Sequence, residues 1–210
     1  MSGADRRTAG ILVFAYWLSL SIALPIEPHE QSWKALRNDK YNICIEYPAA
    51  QFAILGGESR DGNTIIPKKL VQNGHRLPWP APYTAFGFGG WVVQPKDVSQ
   101  PDVSGSGPRQ TLEDDYDGLL QAGREHWHLQ SIKVISKRRS YADGLPILDV
   151  AVEFRYGPSG TRWYYRERLM HTKNDGEAYH LSLTCPTSEL KNLLPIYERM
   201  VASFRLHCKK

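Results

Sequence analysis

Several things are scarce in this 210-residue sequence, and each scarcity closes off a class of chemistry. There are three cysteines, Cys44, Cys185 and Cys208, and neither Cys44 nor Cys185 has a histidine beside it, which argues against a thiol enzyme. No Gly-x-Ser-x-Gly elbow exists; Ser104 to Gly107 (SGSG) is a flexible linker with no buried strand before it. Gly87 to Gly90 (GFGG) lacks the third glycine and following helix of a dinucleotide loop, and the Lys-Ser/Thr of a phosphate loop. Asp115 to Gly118 (DYDG) holds part of a calcium loop without its remaining ligands. No Asn-x-Ser/Thr acceptor is present. Charge of one sign is also short, with 26 Lys+Arg against 22 Asp+Glu and a net charge of +4. A nucleic-acid surface needs a denser basic face, so no nucleic-acid partner is expected. The clearest basic cluster, Lys133 with Lys137, Arg138 and Arg139, reads as a charged sheet edge.

An export signal is what stands out among the features present. Arg6 and Arg7 give a positive start, and Gly10 to Ala23 (GILVFAYWLSLSIA) is an apolar, uncharged run. Ser21, Ile22 and Ala23 place small residues where a signal peptidase cuts. The run is shorter than the roughly twenty residues of a membrane span, and Pro25, Glu27 and Pro28 follow it at once. An uncleaved anchor or a buried helix are the alternatives. Arg6-Arg7 also fits a twin-arginine signal, with ordinary Sec export as the default. No cysteine follows the run to carry a lipid anchor. The expected division is residues 1–23 as signal, 24–40 as an N-terminal extension and 41–208 as one domain, placed in the periplasm or outside the cell. Membrane contact is then transient, through the signal.

In an oxidising compartment two of the three cysteines pair. The closing helix would hold Cys185 and Cys208 roughly 25–30 Å apart, far beyond disulfide reach. Cys44 with Cys208 is the geometrically easier pair.

Along the chain, Tyr41 to Tyr47 alternates, with Tyr41, Ile43, Ile45 and Tyr47 on one face of a strand stopped by Pro48. Gly56 to Pro82 is crowded with turn residues, with Ile65-Ile66 as a short strand within it. Tyr83 to Val93 reads as a strand that Gly87, Gly89 and Gly90 bend or bulge. Pro95 to Pro108 is a polar linker. Thr111 caps a helix whose apolar side is Leu112, Tyr116, Leu119, Leu120 and Trp127. Four strands follow, Ser131 to Ser140, Pro146 to Tyr156, Thr161 to Thr172 and Glu177 to Cys185, joined by Gly-bearing turns of hairpin type. Leu148, Val150, Val152 and Phe154 alternate with Asp149, Glu153 and Arg155, which predicts a meander with one buried face and one wet, charged face. Leu190, Leu193, Leu194, Tyr197, Met200, Val201 and Phe204 repeat at helical spacing, and Pro195 is expected to kink or divide that helix. Its stripe is expected on the buried face with Leu148. The fold class is α+β, an antiparallel meander packed by helices into an α/β sandwich.

Tyr41 to Pro48 (YNICIEYP) and the closing Cys185-Pro186 with Leu194 to Arg205 (LPIYERMVASFR) resemble the PsbP-like family. That group holds the extrinsic photosystem II protein, a Ran-binding relative in yeast and many exported bacterial proteins. The resemblance spans about residues 41 to 206 and lies in structural positions, so it carries over no functional residue. It implies an antiparallel sheet flanked by helices, usually without a catalytic constellation. The Pro/Gly-rich Gly56 to Pro82 departs from the compact members.

Candidate functional residues are few. His126 and His128 lie two positions apart on the first helix, so they point about 200° apart and cannot share a metal there. His171 and His180 fall on neighbouring strands and read as surface residues. No metal or cofactor is expected. The best surface is aromatic and cationic: Tyr164 between Arg162 and Arg166 on a wet sheet face, with Trp79 and Trp91 in the glycine-rich half, fits a sugar or a partner protein. The expected function is an exported, non-enzymatic accessory or interaction domain of the cell envelope, whose partner is an envelope protein or glycan. The alternative is a small extracytoplasmic hydrolase or ligand-binding protein using a cleft around Trp79 to Trp91 with Glu125 and His126.

Overall fold

A computed structural model describes residues 32–55, 62–72, 75–76, 83–92, 111–125, 129–142, 144–156, 160–172 and 176–208. The expected signal, residues 1–23, lies outside the described residues.

The chain opens with β1 (Trp33–Asn38), which pairs antiparallel with β2 (Ile43–Pro48). The expected extension, residues 24–40, therefore contains a strand of the fold. β1 shows only Trp33 and Leu36 as apolar anchors because, among the described residues, it lies at the edge of a small three-stranded sheet whose central strand is β2. Ile43 and Ile45 of β2 are fully buried, as alternation requires. The expected strand starts two residues late, since Tyr41 and Asn42 (φ 49°) form the turn before it, where the Tyr41 ring is also buried.

β3 (Phe52–Leu55), β4 (Gly62–Pro67) and β7 (Ala85–Val92) form one half of a large sheet; β5 (Val71–Gln72) and β6 (His75–Arg76) make a small separate pair. β8 (Leu129–Ala142), β9 (Leu145–Tyr156), β10 (Thr161–His171) and β11 (Glu177–Pro186) form the other half. Among the described residues the large sheet has seven strands, in the order β3, β4, β7, β11, β10, β9, β8, every neighbouring pair antiparallel. The meander is thus as expected. Its turns hold Gly144, Gly160 and Gly176 at φ of 77°, 61° and 62°, the left-handed conformation that favours glycine.

β7 carries no bulge; its register with β4 and β11 is continuous. Its glycines provide space instead. A Cβ on Gly90 would stand 2.9 Å from the Ala178 carbonyl oxygen and 3.0 Å from the Tyr41 ring, and one on Gly87 would strike the Ser182 hydroxyl.

Among the described residues, two α-helices cover the large sheet. α1 (Leu112–Glu125) starts at a capping box: the Thr111 hydroxyl accepts from the Asp114 N–H at 3.2 Å, and the Asp114 carboxylate accepts from the Thr111 N–H at 2.7 Å. Leu112 and Tyr116 pack on Leu148, Val150, Val152, Phe154 and Leu169. Arg139 of edge strand β8 bonds Glu113 at 2.6 Å, and the Lys137 ammonium sits 4.5 Å from the Tyr116 ring centre. The basic cluster thereby pins α1 as well as charging the edge.

α2 (Leu190–Ser203) packs on the other face, where Leu193, Tyr197 and Met200 join Phe86, Phe88, Tyr179, Leu181 and Leu183. This corrects the expectation of one buried and one wet face. The Leu148 face belongs to α1; on the other face α2 covers β11 and the middle of β10, while Glu153 and Arg155 stay at an open end. Residues 187–189 form one 3-10 turn, and α2 runs through Pro195 as a single helix. Pro195 lies on the exposed side, so the Lys191 carbonyl left without an amide partner faces solvent.

The last strand, β12 (Arg205–Leu206), returns to pair with Cys44 and Ile43 of β2. There Cys44 and Cys208 form a disulfide, with Cα atoms 6.1 Å apart. Arg37 adds a guanidinium bond to the Cys208 carbonyl at 3.3 Å and another to Asn42 at 3.1 Å. Cys185 is the free thiol and is fully buried. No helix among the described residues is long and apolar enough to cross a membrane.

Candidate functional site

Strand β10 carries the candidate residues, because alternation divides them between the two faces of the sheet. Register places Arg162, Tyr164, Arg166 and Arg168 on the face toward α2. Arg168 donates two N–H bonds to one Asp149 oxygen, at 3.0 and 2.6 Å. Arg166 stands 3.9 Å from the other Asp149 oxygen and donates to Glu198 of α2 at 3.3 Å. The longer contact is electrostatic rather than a hydrogen bond, and among the described residues this Asp149 oxygen has no hydrogen-bond partner. The Arg166 guanidinium also lies 5.4 Å from the Tyr197 ring centre, and the Tyr197 hydroxyl donates to the Leu181 carbonyl at 3.1 Å. Arg166, Arg168, Tyr197, Glu198, Val201 and Ala202 line a shallow depression of about 330 Å³, whose two cations already have anions.

Tyr164 does not serve as a stacking platform. It is 6% exposed and belongs to the core under α2, with burial raising its hydroxyl pKa. The expectation of a wet face failed here because α2 covers the middle of β10. Arg162 stays exposed near the end of the strand, directly opposite Arg155 of β9. These two arginines, Ser131, Lys133, Glu153 and Phe154 line a second depression of about 200 Å³. Arg162 and Arg166 thus share a face but line different depressions.

Trp91 lies on the opposite face, half-buried, with its ring edge-on to His180 at 5.6 Å between centroids. Beside it the His180 Nδ1 is 3.1 Å from the Glu167 carboxylate, which is 5% exposed. Tyr165 bonds Glu167 and Ser182, and burial followed by the nearby Glu167 charge raises its pKa well above the ordinary tyrosine range. Gly87 leaves the room that the Ser182 hydroxyl occupies. This polar knot of Tyr165, Glu167, His180 and Ser182 escaped sequence reasoning. The usable signal was two matching alternations, Tyr165 with Glu167 and His180 with Ser182, across one hairpin.

Trp79 and His126 lie outside the described residues. Glu125 is exposed and bonds Gln121 at 2.9 Å. Among the described residues, no group of three or more His, Cys, Asp or Glu side chains is arranged to hold a metal.

No protein-family model matches the sequence, and no curated protein matches it. Solved structures do match in shape. Cyanobacterial PsbP (CyanoP) from Synechocystis sp. PCC 6803 is similar at a TM-score of 0.56 and 8% identity, over 86% of this chain and 95% of that one. The Saccharomyces cerevisiae Ran-binding protein Mog1p is similar at a TM-score of 0.52 and 10% identity, over 84% of this chain and 96% of that one. The meander, the closing helix and the spatial likeness together give the chain a PsbP/Mog1-like α+β fold.

Proposed function

We propose that the chain is an exported, non-enzymatic accessory domain of the cell envelope that works by binding an envelope protein or glycan. The observation that carries this reading is the Cys44–Cys208 disulfide, which ties β2 to the end of the fold. Such structural bridges persist in oxidising compartments, and an export signal over residues 1–23 would deliver the chain there. The arginine and aromatic groups on β10 are spent largely on internal pairing, which fits a binding scaffold better than a catalytic one. Mog1p, with the same fold, is a Ran-binding protein, so the fold can serve recognition without prescribing its partner.

Two measurements on the chain in its host test this. Intact-mass analysis should find residues 1–23 removed, one bridge and one alkylatable thiol. In-cell crosslinking should capture a discrete envelope component. An uncleaved cytoplasmic chain with three alkylatable thiols, or crosslinking that repeatedly captures nothing, sinks the proposal.

A further inference from the structure

The exposed end of β9 and β10 holds an arrangement that the fold does not need. Arg155 and Arg162 stand directly opposite each other across the antiparallel pair. Like charges so placed destabilise a sheet. The two arginines further along the same face have anions, since Arg168 and Arg166 flank Asp149 and Arg166 reaches Glu198. Among the described residues, the Arg155, Arg162 and Lys133 side chains make no ion pair or hydrogen bond. Lys133 and Glu153 are register partners, yet they too form no ion pair.

The neighbouring strand is deformed at this place. The register of β8 on β9 shifts between Gln130 and Lys133, which leaves Ser131 and Ile132 without partners opposite. Ser131 sits at φ 51°, a left-handed conformation that a non-glycine residue adopts at a cost of about 1 kcal/mol or more. Bulges of this kind re-aim side chains and collect beside binding sites. The result is one depression of about 200 Å³ with Arg155, Arg162 and Lys133 around it and Ser131 in its wall. Three cations against the single Glu153 carboxylate leave two positive charges uncompensated.

The geometry points to this corner as a binding site for a phosphate monoester, a ligand that goes beyond the protein or glycan partner proposed above. Two guanidinium forks and an ammonium match the three terminal oxygens of such a group, and its double negative charge balances the excess. A carboxylate would leave one positive charge unmet. Ser131 adds a hydroxyl that can donate. The same chemistry is offered by a sugar phosphate and by a phosphatidic acid headgroup. Binding here is independent of where the chain resides, so it can fail without the export reading failing.

Titration calorimetry on the purified chain tests this with three probes: inorganic phosphate, glucose 6-phosphate and phosphatidylcholine vesicles containing phosphatidic acid. Binding of at least one probe, weakening as salt rises, is the expected result. Arg155→Gln with Arg162→Gln should weaken it about tenfold or more, while Arg166→Gln leaves it essentially unchanged. The double variant should also melt no lower than the native chain, which separates lost binding from lost folding. Vesicle binding that phosphate competes away supports a lipid source; sugar phosphate binding without vesicle binding supports a soluble or glycan-borne source. Silence with all three probes, or undiminished binding by the double variant, overturns the site.

Discussion

The two ends of one row of arginines on β10 differ in how they are satisfied. Under α2, Arg166 and Arg168 flank Asp149, and Glu198 and Tyr197 close over Arg166. At the hairpin end, Arg162 faces Arg155 and Lys133 lies nearby, with no anion paired to any of them among the described residues. The same side chain therefore serves two purposes along one strand. Where a helix covers the sheet, the fold supplies the counter-charge; where the sheet runs out into solvent, the positive charge is left for a ligand.

The sharpest way to stress the covered end is alkaline pH. Burial, with Glu189 as the lesser cause, pushes the Cys185 thiol up to about 12 from its ordinary 9.0. Burial likewise raises Tyr164 and Tyr197. Between the two thiol values the unfolded chain releases a proton that the folded chain keeps. Stability is therefore full below pH 9 and falls as the pH rises toward 12. Between its unfolded and folded values a fully buried group of this kind contributes about 1.4 kcal/mol per pH unit. Urea unfolding across that range should show the decline, and Cys185→Ala should flatten its lower part.

Asp149→Ala should come next in size. It strips the shared anion from two partly buried guanidinium groups and should lower the unfolding free energy by about 2–3 kcal/mol. Arg166→Gln removes a more exposed contact with Glu198 and should cost below about 1 kcal/mol. Arg155→Gln with Arg162→Gln should be the smallest, within about 0.5 kcal/mol of the native chain or slightly stabilising, since a like-charge opposition is relieved. Reversal of the order between Asp149→Ala and the double arginine change would erase the distinction between the ends.

The sequence made some of this legible. The four meander strands could be placed because apolar alternation and Gly-bearing turns are local signals, and the Gly144, Gly160 and Gly176 conformations bear that reading out. The length of α2 excluded a Cys185–Cys208 bridge, and β12 returns Cys208 to Cys44. Alternation in β9, however, reads alike whether its polar face meets water or a helix. Hence the burial of Tyr164 under α2 was missed, whereas the pairing of Arg166 and Arg168 with Asp149 follows from cross-strand charge matching between β9 and β10. β1 was missed because an edge strand with two apolar anchors has almost no periodicity to detect. The Arg155–Arg162 opposition depended on register across a hairpin, and the Glu167–His180 contact on register across the next one. Neither is encoded within one local segment.

Thermal melting in the presence and absence of phosphate tests the central contrast most directly, because a ligand held by the folded chain raises its melting temperature by mass action. The native chain should gain stability with phosphate, and so should Arg166→Gln, whereas the variant carrying Arg155→Gln and Arg162→Gln should gain none. Equal gains in all three, or no gain in the native chain, would contradict the assignment of the unpaired end to a ligand.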